Sequence, residues 1–126
     1  MPVIDNRNVK IHHVPGMIHQ SVANRDAGVY TMEVWKQTMR PGAATPVHCH
    51  DCEEVIVVVK GSGTVTIEGE ATEFGPDSTL ILPPNAVHQI VNTGDEDLFF
   101  IASLGMGPVR LKTADGQPAE RPWLVT

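Results

Sequence analysis

The chain has 126 residues, 41% of them hydrophobic and 19% charged, with a formal net charge of -6 and a pI near 5.4. That length leaves room for one domain, which buries about two-thirds of the surface its unfolded form exposes. The acidic balance and the lack of basic clusters exclude a general nucleic-acid or anionic-membrane binder, and no apolar run approaches the roughly 20 residues of a membrane span.

The N-terminus MPVIDNRNVK lacks the charged-then-apolar layout of a signal peptide, so a cytoplasmic location is expected. Residues 1–28 hold His12, His13 and His19 without a matched carboxylate or regular spacing, and they read as an N-terminal arm or strand, solvated or at an interface. Tyr30 to Met39 follows as a strand. Residues two apart share a face, so Thr31, Glu33, Trp35, Gln37 and Met39 oppose a face containing Lys36. Lysine belongs outside, which turns Trp35, Gln37 and Met39 toward the interior.

Further strands are predicted at Val47 to His50, Glu54 to Val59, Thr64 to Glu68, Ala71 to Phe74, Thr79 to Leu82, Val87 to Asn92 and Leu98 to Leu104. A turn at Lys60 to Gly63 joins two of them as a hairpin. Eight short strands with Gly, Pro, Asn and Asp punctuation, and no amphipathic helix, predict an all-β jelly-roll barrel over residues 29–104. Residues 105–126 form a tail rich in Pro and Gly that ends in Pro122-Trp123-Leu124. It is expected to pack on its own barrel or on a second subunit.

Two segments carry chemistry. In GAATPVHCHDCEEVIVVVKG, His48, His50 and Glu54 place three potential metal ligands within seven residues, between Gly42 and Gly61. Imidazole and carboxylate are the donors that divalent transition metals take, and adjoining strands can bring them to one point. Cys49 and Cys52 form a single C-x2-C with no second pair, so two free thiols are expected, although Cys52 lies between the ligands. In GPDSTLILPPNAVHQIVN an apolar run ends at Pro83-Pro84, turns at Asn85 and presents His88 at the start of another strand.

Together these segments resemble the paired motifs of the cupin superfamily, in the manner of small single-domain bacterial members. The first motif, Gly-x5-His-x-His-x3-Glu-x6-Gly, is matched throughout by Gly42, His48, His50, Glu54 and Gly61. The second keeps Pro83, His88 and Asn92 but carries Asp77 and Asn85 where glycines usually stand. Asp and Asn are the non-glycine residues that best tolerate left-handed turns. The resemblance spans about Val29 to Leu104 and implies the double-stranded β-helix of cupins. It also implies that His48, His50, Glu54 and His88 hold one divalent transition ion, Fe, Mn, Ni or Zn, and that Gly42, Gly61, Pro83 and Asn92 are scaffold.

Register similarity to small cupins adds Phe100 and Ala102 to the interior, giving a pocket of Trp35, Gln37, Met39, Phe100 and Ala102. Gln37 is informative there, because an amide on an apolar wall needs a hydrogen-bond partner. A site retaining about one positive charge attracts an anionic or enolisable small molecule. The resemblance implies a dioxygenase-like metal enzyme as the first reading, with a non-enzymatic binding module or a sugar-acid isomerase as alternatives. Glu53 reads as a solvated carboxylate, no nucleophilic triad is visible, and the family resemblance implies a homodimer.

Overall fold

The computed structural model describes residues 3–121. Among them lie eleven strands and two short 3-10 helices, Asn6–Asn8 and Arg25–Ala27, so the chain is all-β as its punctuation predicts. The strands are β1 (His12–Val14), β2 (Met17–Ala23), β3 (Glu33–Met39), β4 (Glu54–Lys60), β5 (Gly63–Ile67) and β6 (Glu70–Phe74). They continue as β7 (Ser78–Leu82), β8 (His88–Val91), β9 (Leu98–Leu104), β10 (Leu111–Lys112) and β11 (Pro118–Ala119).

A six-stranded sheet runs β1-β2-β3-β9-β4-β7, and a three-stranded sheet runs β6-β5-β8. Alternation decides which faces meet. Along β3 and β9 every second residue is buried, and the inward sets Trp35, Met39, Leu98, Phe100, Ala102 and Leu104 share one core with Val65 and Ile90 of the smaller sheet.

Turn chemistry fixes the registers. Ile67 pairs with Glu70 across a two-residue loop whose residues, Glu68 (φ 49°) and Gly69 (φ 79°), both take the left-handed conformation that suits a tight hairpin. Asp77 (φ 59°) and Asn85 (φ 63°) are left-handed as well, so each performs the backbone task of the glycine it replaces.

Several expectations need correction. Residues 12–23 are strand and not a solvated arm: Val14-Pro15-Gly16-Met17 makes a turn, β1 pairs with β2, and β2 extends the large sheet beside β3. The strand expected from Tyr30 begins only at Glu33, and Tyr30 is exposed. The strand expected at Val47 to His50 is reduced to isolated bridges, His48 with His88 and Cys49 with Lys112. The tail does return to the barrel in its described part, burying Met106, Val109 and Leu111. Pro122-Trp123-Leu124 lies outside the described residues.

Candidate metal centre and ligand cavity

His48 and His88 face each other across their bridge, each backbone N–H donating to the other's carbonyl at 3.1 and 2.8 Å. That reciprocal pairing sets their rings 4.4 Å apart. His50, one pleat further on, is anchored by the Asn85 N–H to its carbonyl, and its ring lies 4.9 Å from that of His48. Glu54 opens β4, paired with Leu82 and Leu104, which fixes its side chain inward. His50, Glu54 and His88 are buried, and His48 is half-buried.

The second nitrogen of each ring explains the first. Nδ1 of His48 donates to the Pro46 carbonyl (2.6 Å), Nδ1 of His50 to the Arg110 carbonyl (2.8 Å), and Nδ1 of His88 to the Ala86 carbonyl (2.9 Å). A carbonyl only accepts, so each Nδ1 carries a proton and each Nε2 is left to present a lone pair. Burial pulls the pKa of His48 down to about 4 and also lowers that of His50, against the pull of Glu54, which keeps both rings neutral.

The result is a knot of acceptors. One potential ligand atom from each of His48, His50 and His88 lies within 4.8 Å of the others. Glu54 Oε1 stands 3.6 Å from Nε2 of His50 and 3.5 Å from Nε2 of His88, too far for hydrogen bonds. His50 Nε2 and Glu54 Oε1 have no hydrogen-bond partner among the described residues. Buried acceptors pointed at one another are costly unless a cation sits among them. The three imidazoles could hold a metal ion, and the carboxylate stands where it would complete the set.

A cavity adjoins this cluster. Trp35, Gln37 and Phe100 line it as expected, with Ile56 and Ile90 from the two sheets and Thr45 and Pro46 beside His48. Met39 and Ala102 do not line it, contrary to expectation. Ala102 is too short to emerge from between its cross-strand partners Trp35 and Ile56, and Met39 pairs with Leu98 and Met17 at the far end of β3, fully buried in the core.

Sequence reasoning missed three lining segments: Val14 and Met17 of the first hairpin, His19 of β2, and Leu111 of the tail. His19 is buried rather than solvated, and its ring packs edge-on against Trp35 at 4.9 Å. A readable signal existed for the hairpin, since Pro15-Gly16 between Val14 and Met17-Ile18 marks a turn. Both cysteines are free thiols. Cys52 belongs to the apolar core and not to the imidazole cluster, and burial raises its pKa.

A model of the auxin-binding protein family matches residues 4–117. The chain belongs to the auxin-binding protein family. It is 40% identical over 107 residues to auxin-binding protein 1 of Arabidopsis thaliana, covering 77% of this chain and 54% of that protein. It is 39% identical over 108 residues to auxin-binding protein T85 of Nicotiana tabacum, covering 76% and 58%. The chain thus spans little more than half the length of these curated relatives. An RmlC-like cupin from Shewanella frigidimarina NCIMB 400 superimposes with a TM-score of 0.72 at 19% identity, covering 83% of this chain and 90% of that one. The cupin fold expected from the two motifs is therefore present. The closer kinship is to auxin-binding proteins, not to the small bacterial type that the motif spacing suggested. Motif positions common to a superfamily carry no information about which of its families a chain joins. Among the described residues no helix is long and apolar enough to cross a membrane.

Proposed function

We propose that the chain is a metal-dependent binding protein for a small anionic molecule with an apolar body. His48, His50, Glu54 and His88 hold the ion, and the anionic end of the ligand meets it. The carrying observation is the convergence of three lone-pair-bearing imidazole nitrogens and a partnerless carboxylate oxygen beside an apolar cavity. Three neutral imidazoles and one carboxylate around a divalent ion, Fe, Mn, Ni or Zn, leave about one positive charge, which attracts an anion despite the acidic exterior. Trp35, Ile56, Ile90 and Phe100 supply apolar contact, and Gln37 supplies a polar one.

The relatives are auxin-binding by name, which favours holding a ligand over transforming it and makes auxin the first ligand to test. Isomerisation would need an acid or base that is not itself a ligand. Glu53, the neighbour of Glu54, is exposed and lies on the opposite side of the pleat. Oxidative turnover of the dioxygenase type draws support from the coordination positions that a four-donor set leaves open on an octahedral ion.

Calorimetric titration of auxin into metal-loaded and metal-stripped protein, with an oxygen electrode alongside, separates these readings. Binding confined to the loaded form, without oxygen uptake, is expected. Equal binding by the stripped form overturns the role given to the metal, and stoichiometric oxygen uptake moves the chain to the enzymes.

A further inference from the structure

Strands β2 and β3 pair so that His19 stands directly opposite Gln37, and both line the cavity. His19 Nδ1 lies 3.1 Å from Gln37 Oε1, and at the other end of the same carboxamide Nε2 lies 3.6 Å from Met17 Sδ. Oxygen and nitrogen of a carboxamide are nearly the same shape, so its sense comes from its neighbours.

Met17 decides that sense. A thioether sulfur has lone pairs and no proton, so it accepts weakly from an N–H and gains nothing from a carbonyl oxygen. With Nε2 at the sulfur, Oε1 faces the imidazole, and His19 Nδ1 must carry the proton it donates. His19 is only 1% exposed, and burial pulls its pKa to about 4, so the ring is neutral with a single N–H. That proton is committed to Gln37.

We propose that Met17 and His19 together lock Gln37 with its NH2 group as a donor to the cavity, making this wall select ligands that offer an acceptor oxygen, as a carboxylate does. The ligand class rests on the binding role proposed above; the sense of the amide does not. An NH2 group has two protons, and the weak, long contact to sulfur engages one, leaving the other for a ligand oxygen. A ligand presenting an N–H there meets proton against proton. His19 is thus a positioning residue that acts through Gln37.

Two measurements test this. Long-range proton–nitrogen NMR spectra of the 15N-labelled, zinc-loaded protein without ligand report which nitrogen of His19 is protonated. Nδ1–H is expected. Nε2–H overturns the proposal, because Nδ1 would then accept from the carboxamide and turn its oxygen toward the cavity. Calorimetry with phenylacetate on the same zinc-loaded protein gives the second readout. His19→Phe is expected to bind about tenfold more weakly at unchanged zinc content, the loss typical of one charge-assisted hydrogen bond. His19→Gln, which keeps an N–H donor, is expected to recover most of that loss. Binding by His19→Phe within twofold of wild type, at full zinc content, overturns the proposal. A wild type that shows Nδ1–H yet binds no phenylacetate upholds the amide assignment and counts against the ligand reading alone.

Discussion

His19 is a titratable group buried in the cavity wall. Its pKa is about 4 in the folded chain against an ordinary 6.5, because burial penalises the charged ring more than Gln37 favours it. The unfolded chain therefore binds the proton first as pH falls. Stability from this group is fully present above about pH 6.5, declines between 6.5 and 4, and has been lost below that, a loss on the order of 3 kcal/mol. Urea unfolding midpoints measured from pH 7 to pH 4 check the sign: wild type falls toward acid, and His19→Phe falls less steeply. An equal slope in both would show that His19 is not buried neutral. At this scale the cluster of candidate donors was legible before the fold, because His48, His50 and Glu54 are close in sequence and imidazole and carboxylate are metal-binding groups. His19 was not legible. Nothing in one histidine among three shows which is buried, and the decision belongs to β-pairing with a strand 18 residues away.

Among the elements, the β4–β5 turn bears a tight backbone approach. Gly61 sits at φ 88°, and a Cβ there would lie 2.6 Å from the Asp97 carbonyl oxygen and 2.8 Å from Leu98 Cα. Gly69 in the β5–β6 hairpin has φ 79° and nothing within 4 Å of such a Cβ. Gly69→Ala therefore isolates the left-handed penalty of roughly 1 kcal/mol, whereas Gly61→Ala adds a backbone clash and should cost roughly 2–4 kcal/mol. Denaturant unfolding of the two variants side by side checks the difference, and equal losses would mean the turn yields freely. Strand β9 was readable to its ends because an apolar run broken only by Ser103 extends from Leu98 to Leu104. The segment at Val47 to His50 misled, since its alternation is real but its partners, His88 and Lys112, each reach only one residue. The first hairpin escaped notice for the opposite reason: its histidines looked polar, although Pro15-Gly16 marked the turn.

On the scale of the molecule, the proposed ligand set draws on separate parts of the fold. Glu54 comes from the six-stranded sheet, His88 from the three-stranded sheet, and His48 and His50 from the bridging segment, where Arg110 of the returning tail orients His50. An ion bound there would favour the folded chain over the unfolded one in proportion to its affinity, by about 2.7 kcal/mol at a hundredfold excess over its dissociation constant. The overall architecture was visible from strand spacing, turn residues and two motifs. Family membership was not, because it resides in positions that those motifs leave open. The central claim is that four side chains, three close in sequence and one from a distant strand, bind one cation, and zinc titration into the metal-stripped protein tests it most directly. One zinc per chain is predicted for wild type, with strong loss in both His50→Ala and His88→Ala while the strand circular dichroism is retained. Unchanged zinc stoichiometry in both variants would contradict the account.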